Sequence, residues 1–177
     1  MSKVAFCFPG QGSQRVGMGR EMAREFSESA DVYERASDAL GFDVAQLCFE
    51  GPLDRLSRTD MTQPALVATS LAVLDAVRTR LGIEPDAVVG HSVGEYAAIA
   101  AAGGVGVDQV MLLTRERGLA MAESRAHGAM AAVLGLTDEQ VERLCAETGD
   151  VWPANYNCPG QLVISGREEG VATVGDR

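Results

Sequence analysis

The chain has 177 residues, of which 46% are hydrophobic and 23% are charged, so it can bury a substantial core and is neither disordered nor collagen-like. Its 25 acidic residues outnumber its 15 basic ones, and the net charge of −10 argues against nucleic acid or an anionic membrane surface as the main partner. The four cysteines show no metal-ligand spacing, and there is no apolar run of membrane-spanning length and no secretory leader. These features predict a cytoplasmic protein with reduced thiols and no metal site.

The first part of the sequence alternates strand and helix patterns in the way that is typical of an α/β domain. Residues 3–8 form an almost uninterrupted apolar run that ends at Pro9-Gly10, which predicts a strand buried on both faces, as in a parallel sheet. A glycine-rich loop follows, and apolar residues at helical spacing predict a helix over 20–40. After a polar stretch, Thr62 is expected to cap a second long helix that ends near Gly82.

A second strand and turn follow that helix. Residues 87–89 predict another buried strand, which meets a glycine-bounded turn and then a helix over 95–102. A further helix is predicted over 107–125. The predicted α/β core therefore occupies residues 1–125.

The pattern changes character beyond residue 125. The predicted elements are listed in chain order: a strand over 129–135, a helix over 137–147, strands over 151–155 and 162–165, and the start of a helix over 167–174. This βαββα order is five sixths of the ferredoxin-like βαββαβ arrangement. The sequence thus predicts an incomplete ferredoxin-like subdomain over 126–177, truncated before its last strand, with a boundary near 124–128.

The turn after the second strand carries the clearest chemical signal. Its sequence, Gly90-His91-Ser92-Val93-Gly94, fits the GxSxG pattern of a nucleophile elbow, in which flanking glycines give room for a very tight turn. Such a turn exposes the serine hydroxyl at the end of a strand and directs the amides of the next helix toward it. We therefore predict Ser92 as a nucleophile, with a purely structural turn as the alternative.

An arginine interrupts the apolar face of the helix over 107–125. The residues that share this predicted face with Arg117 are Val110, Leu113, Thr114 and Met121. A half-buried guanidinium needs an anion, and its planar fork suits a substrate carboxylate, although a structural pair with Asp or Glu is the open alternative. Its neighbours Arg115 and Glu116 fall on the other side of the helix and are expected to be solvated.

The glycine-rich loop after the first strand suggests two roles, phosphate binding and the supply of an oxyanion-hole amide. Residues 12–17 have the glycine spacing of a phosphate-binding loop, but Met18 and Gly19 replace the residues that grip phosphate and magnesium, which excludes nucleotide binding. In an elbow fold, a loop at this place can supply the second oxyanion-hole amide beside that of Val93.

A serine nucleophile usually needs a general base, yet the chain has only two histidines, His91 and His127. His91 precedes Ser92 on a sharp turn that sends the two side chains in different directions, so we predict a packing role beside the nucleophile. His127 lies in a loop and is expected to be solvated. Neither residue is predicted to be the base.

Six segments in order along the chain resemble the acyltransferases of fatty acid and polyketide synthesis, and in particular the malonyl-CoA:acyl carrier protein transacylases. These segments are 8–14, 62–66, 90–96, 117–118, 128–133 and 155–161. The resemblance implies an α/β-hydrolase-like core with an inserted ferredoxin-like subdomain.

The resemblance also implies an activity and a site. A malonyl group would pass from malonyl-CoA to Ser92 and then to the phosphopantetheine thiol of acyl carrier protein, without a tightly bound cofactor and without nucleic acid or membrane as partners. Arg117 would grip the malonyl carboxylate, and the amides of Gln11 and Val93 would form the oxyanion hole. Two further residues, Asn155 and Asn157, would be neighbours of the site.

The sequence departs from the family at one point: the catalytic histidine of these enzymes would lie beyond residue 177. A lone chain is then expected to be poorly active and to expose an apolar sheet edge that favours aggregation or a partner. Two other functions remain open. One is a serine hydrolase or thioesterase with the same elbow, and the other is a non-catalytic acyl-CoA-binding fragment or interaction module.

Overall fold

The computed structural model describes residues 3–123 and 128–177 of the chain. The chain divides into two compact units between Glu123 and Ser124. Most of the predicted boundary, together with His127, lies outside the described residues. In the part of the chain that the structure describes, no helix is long and apolar enough to cross a membrane.

The first unit is an α/β structure in which helices pack against one face of a short parallel sheet. Strands β1 and β2 pair in parallel, with Ala5 opposite Ala87 and Phe8 opposite Gly90. The described elements are β1 (Ala5–Phe8), α1 (Arg20–Glu25), α2 (Ser27–Leu40), α3 (Val44–Glu50), α4 (Leu53–Leu56), α5 (Thr59–Leu81), β2 (Ala87–Gly90), α6 (Gly94–Ala101) and α7 (Val107–Ala122).

The prediction that the first two strands are buried on both faces is wrong. Phe8 lies in the core of the first unit and Phe6 packs against it, whereas Ala5 and Cys7 are exposed. On β2, Val89 is 54% exposed. Successive side chains of a strand point to opposite faces, and the helices of this unit cover only the Phe6 and Phe8 face.

Two helix predictions need correction. The single helix expected over 20–40 is divided into α1 and α2, because the backbone of Phe26 is extended (φ −129°, ψ 117°) and its ring packs 5.3 Å from the Arg80 guanidinium carbon. The polar stretch that follows contains α3 and α4, which hydropathy alone did not indicate.

Helix α5 begins at Thr59, three residues before the predicted cap. Thr62 is fully buried and its hydroxyl donates to the Leu56 carbonyl, so it does not cap the helix. Pro64 therefore lies inside the helix and cannot donate to the carbonyl of Asp60. Arg115 Nη1 donates to that carbonyl oxygen instead, at 2.8 Å. A side chain from α7 thus replaces the missing helical hydrogen bond.

The second unit is an antiparallel sheet with two helices. Its described elements are β3 (Gly128–Leu134), α8 (Asp138–Thr148), β4 (Val151–Cys158), β5 (Gln161–Arg167) and α9 (Glu168–Gly175), and the strand order is β3-β5-β4. Helix α8 begins with a capping box, in which the Thr137 hydroxyl accepts from the Gln140 amide. The core of this unit includes Val141, Leu162 and Ile164.

Candidate active site

Ser92 stands at a tight turn between β2 and α6, with a left-handed backbone (φ 53°) that side-chain-bearing residues rarely adopt. A Cβ on Gly90 would lie 2.1 Å from the carbonyl carbon of Gly94, and a Cβ on Gly94 would lie 2.4 Å from the Phe8 carbonyl oxygen. Both flanking glycines are therefore required, because the turn is pressed against α6 and against the end of β1. This is the geometry that the GxSxG pattern demands.

Two main-chain amides of the predicted oxyanion hole lie at or near the elbow. The N–H of Val93, at the start of α6, and the N–H of Gln11, in the loop after β1, donate to no acceptor among the described residues. The loop lies against the elbow, since a Cβ on Gly10 would stand 2.5 Å from Nδ1 of His91. The Gln11 side chain reaches Thr59 Oγ1 at 3.4 Å and so connects the loop to α5.

Arg117 lies directly beside the serine. Its Nη2 is 3.3 Å from Ser92 Oγ, its Nη1 donates to Gln63 Oε1 at 2.6 Å, and its guanidinium carbon is 5.9 Å from the centre of the Tyr96 ring. Within the described residues it forms no ion pair with Asp or Glu. A half-buried cation is thus held by neutral groups next to a hydroxyl, an arrangement that is suited to an incoming anion.

The buried face of α7 differs from the predicted one. Val110 and Thr114 are buried as expected, but Leu113 and Met121 are about half exposed. Gly118 is buried instead, and a Cβ there would lie 2.8 Å from both the Cα of Asp60 and the carbonyl oxygen of Thr59. This glycine lets α7 approach α5 closely and brings Arg117 to Gln63.

Gln63 is a site residue that sequence reasoning missed. It is fully buried, and besides accepting from Arg117 it directs Nε2 at the Met121 sulfur, 3.3 Å away. A buried amide between a guanidinium and a thioether holds that guanidinium in one orientation. The available signal was a polar residue directly before a proline and the apolar stretch 65–68.

The prediction that Arg115 is solvated is wrong. Its side chain is only 24% exposed, and Nη1 lies 2.9 Å from Oδ2 of Asp60, which is itself almost fully buried. Burial alone would raise the pKa of Asp60, but the hydrogen bond from Arg58 and the charges of Arg115 and Arg58 outweigh burial and lower it. Asp60 is therefore an anion that ties α5 to α7.

Two of the remaining candidates belong to the second unit. Asn155 and Asn157 are on β4 of the second unit, where the Asn157 amide donates to Gln161 Oε1 at 3.1 Å. The predicted roles of these residues and of His91 stay predictions. Among the described residues, no group of three or more His, Cys, Asp or Glu side chains is placed to hold a metal ion.

Comparison with known proteins shows that the chain is similar to acyl transferases. The acyl transferase domain model matches residues 5–177. A malonyl CoA-acyl carrier protein transacylase of Bacillus subtilis (strain 168) is 44% identical over 177 residues, a match that covers 97% of this chain and 56% of the relative.

Solved structures of similar proteins superpose closely on this chain. A malonyl CoA-acyl carrier protein transacylase from Coxiella burnetii has a TM-score of 0.94 at 37% identity, covering 99% of this chain and 57% of that one. A malonyl-transacylase solved in complex with its type II PKS acyl-carrier protein has a TM-score of 0.92 at 39% identity, covering 99% of this chain and 58% of that one. The chain therefore spans little more than half the length of these relatives. Because the family model matches nearly all of its residues, the chain belongs to the acyl transferase domain family.

Proposed function

We propose that the chain transfers a malonyl group from malonyl-CoA to the phosphopantetheine thiol of an acyl carrier protein through an acyl-Ser92 intermediate. The observation that carries this proposal is the 3.3 Å distance between Arg117 Nη2 and Ser92 Oγ. In a malonyl thioester the free carboxylate is one methylene away from the carbonyl that is attacked. A cation beside the nucleophile can therefore bind the carboxylate and position the reacting carbon at once.

In the first half-reaction, Ser92 Oγ attacks the thioester carbonyl carbon. The negative charge that develops on the carbonyl oxygen accepts hydrogen bonds from the amides of Gln11 and Val93, supported by the N-terminal end of α6. The C–S bond then breaks, and coenzyme A leaves as the thiol after taking up the proton that Ser92 has given to a base. We assign no base among the described residues.

In the second half-reaction, the phosphopantetheine thiol attacks the ester carbonyl of acyl-Ser92. The ester C–O bond breaks, the thiol proton returns to Ser92 Oγ, and malonyl-acyl carrier protein leaves. The same two amides serve both steps, because the charge develops on the same oxygen.

Gln63 has a positioning role in this mechanism. Its Oε1 accepts a hydrogen bond from Nη1 of Arg117, so the malonyl carboxylate would bind on the Nη2 side of the guanidinium. When the carboxylate binds, Nη2 exchanges Ser92 Oγ for a charged acceptor, and the serine oxygen is released for attack. Charge-assisted hydrogen bonds are stronger than the neutral one that is given up.

The domain assignment belongs to the same proposal. Residues 1–125 would be an α/β-hydrolase-like acyltransferase core, and residues 126–177 a ferredoxin-like subdomain without its last strand. The strand order β3-β5-β4 supports this, since it leaves an edge of β3 where a fourth strand of such a sheet would pair.

The test is the mass of the intact chain after incubation with malonyl-CoA or acetyl-CoA. We expect a malonyl adduct that is absent in Ser92→Ala, present in the control Ser165→Ala, and strongly reduced in Arg117→Ala. An acetyl group has no carboxylate for Arg117 to bind, so the extent of acetylation is expected to be the same in Arg117→Ala and the unsubstituted chain. A malonyl adduct that survives in Ser92→Ala would contradict the proposal.

Two other outcomes would redirect the assignment. An adduct that disappears rapidly with release of free malonate, and is not captured by an acyl carrier protein, would indicate a hydrolase. Binding of malonyl-CoA by a folded chain without any adduct would indicate a non-catalytic acyl-CoA-binding fragment.

A further inference from the structure

Tyr96 contacts the candidate active site, and the proposed mechanism assigns it no role. It lies in the first turn of α6, four positions after Ser92, and its amide donates to the Val93 carbonyl at 3.1 Å. The guanidinium carbon of Arg117 lies over its ring, 5.9 Å from the ring centre. The helix that follows the nucleophile therefore also carries an aromatic ring beside the residue that is proposed to bind the carboxylate.

The ring is a third neutral contact of the Arg117 guanidinium. Nη1 donates to Gln63 Oε1 at 2.6 Å, and Nη2 donates to Ser92 Oγ at 3.3 Å. Both of these contacts occupy N–H donors, whereas an aromatic ring attracts a cation through its π electrons and occupies none. An acidic side chain in the same place would neutralise the charge and compete with a substrate carboxylate. The ring thus holds the cation and leaves both its charge and its donors available.

Substrate binding leaves the contact with the ring in place. In the proposed mechanism, Nη2 leaves Ser92 Oγ when the malonyl carboxylate binds, so Arg117 then keeps Gln63 and Tyr96 from its three neutral contacts. A long side chain with fewer contacts samples more rotamers. Each additional rotamer lowers the fraction of molecules in which the carboxylate and the thioester carbonyl are both correctly placed.

We propose that Tyr96 is a positioning residue of this site, whose ring holds Arg117 beside Ser92 and thereby favours acyl groups that carry a free carboxylate. This inference rests on the proposed function. Tyr96 and Ser92 belong to one strand-turn-helix segment, so the ring fixes the guanidinium relative to the nucleophile itself. Gln63, in contrast, fixes it relative to α5.

A purely structural role for the Tyr96 ring leads to a different expectation. The side chain is partly buried and packs against the core of the first unit, so packing alone would make its loss a stability defect. Such a defect would affect malonylation and acetylation of Ser92 alike. A positioning role affects malonylation alone, because an acetyl group offers nothing for Arg117 to bind.

The experiment compares Tyr96→Leu, which keeps an apolar side chain but removes the ring, with Tyr96→Phe, which keeps the ring. Phe26→Leu is the matched control, because it removes another ring that lies over an arginine, 5.3 Å from the Arg80 guanidinium carbon. Arg80 and Gln63 are separated by most of α5, so this control pair is about 25 Å along the helix from the site. Thermal unfolding establishes that each variant is folded.

Two readouts are combined. The first is the ratio of the malonylation and acetylation rates of Ser92, from a time course of intact-protein mass with each acyl-CoA. The second is the Nε–Hε NMR resonance of Arg117 in a chain that contains isotope-labelled arginine, assigned by its absence in Arg117→Ala. The ring current of an aromatic side chain shifts the resonances of nuclei near its face, so this signal reports the Tyr96 contact with no acyl-CoA present.

We expect the malonyl-to-acetyl rate ratio to fall by about three- to tenfold in Tyr96→Leu and to stay within about twofold of the unsubstituted chain in Tyr96→Phe. Phe26→Leu should leave the ratio unchanged. The Arg117 resonance should move in Tyr96→Leu and return close to its original position in Tyr96→Phe.

Two results would overturn the positioning role and leave the proposed function intact. One is a rate ratio that stays constant in Tyr96→Leu but falls in Arg117→Ala. The other is an Arg117 resonance that Tyr96→Leu does not move. Absence of any Ser92 adduct in the unsubstituted chain would instead contradict the proposed function, and the positioning role would fall with it even where the resonance shows the contact with the ring.

Discussion

Replacement of Gln63 by leucine tests whether Arg117 needs its hydrogen bond to Gln63 in order to bind the malonyl carboxylate. Leucine is similar in size and suits the buried position, but it removes the 2.6 Å hydrogen bond from Arg117 Nη1. A hydrogen bond to a charged group contributes about 1.5–3 kcal/mol. If this energy orients the guanidinium for the substrate, Gln63→Leu should lower the rate of malonylation of Ser92 by about ten- to a hundredfold.

The assay is a time course of intact-protein mass after mixing with malonyl-CoA or acetyl-CoA. Acetylation should change little in Gln63→Leu, because an acetyl group offers nothing for Arg117 to bind. Gln46→Leu, which removes an exposed amide on α3, serves as the matched control and should leave both rates unchanged. A malonyl-to-acetyl rate ratio that stays constant in Gln63→Leu but falls in Arg117→Ala would refute the positioning role.

Three further predictions concern stability, each measured by thermal or urea unfolding. Asp60→Asn should destabilise the first unit by about 3 kcal/mol at neutral pH, because Arg115 loses its buried partner. The pKa of Asp60 is lower in the folded than in the unfolded protein, so its stabilising contribution is present above the unfolded pKa and is lost as the pH falls through the folded pKa. Asp60→Asn should therefore lose less stability than the unsubstituted chain below about pH 4. An unchanged dependence of stability on acid pH would contradict this. Gly118→Ala should cost about 1–3 kcal/mol, because its Cβ would meet α5 backbone at 2.8 Å, and a neutral effect would mean that the helices can separate freely. Ser92→Gly should be about 1–2 kcal/mol more stable than Ser92→Ala, because only glycine adopts φ 53° without strain; equal stability would argue against strain at the elbow.

Features encoded within a few residues were predictable from the sequence. The capping box at the start of α8 and the tight turn at Ser92 depend on side chains that act on their own or adjacent backbone. The α/β class followed from apolar runs and helical spacing. In each case the residues whose types form the sequence pattern are the same residues that form the helix end, the turn or the strand.

Features that depend on distant contacts were not predictable. The burial of Arg115 and the division of α1 from α2 at Phe26 depend on side chains from other helices, Asp60 and Arg80 respectively. Gln63 and Arg117 are 54 positions apart, and no periodicity in either helix indicates that they meet. The exposed face of β1 is a different case, because a short apolar run does not distinguish a strand that is buried on both faces from one that is buried on a single face.

The start of α5 gives the contacts of Arg115 and Arg117 a common origin. Pro64 has no amide proton, so the Asp60 carbonyl is free to accept from Arg115, and the adjacent Gln63 accepts from Arg117. Two arginines that are two positions apart on α7 are thus held by Asp60 and Gln63, which lie about one turn apart on α5. The register between the two helices, and not the position of either arginine along α7 alone, sets the direction of the guanidinium beside the serine. A substitution that shifts this register should therefore impair carboxylate recognition before it unfolds the protein.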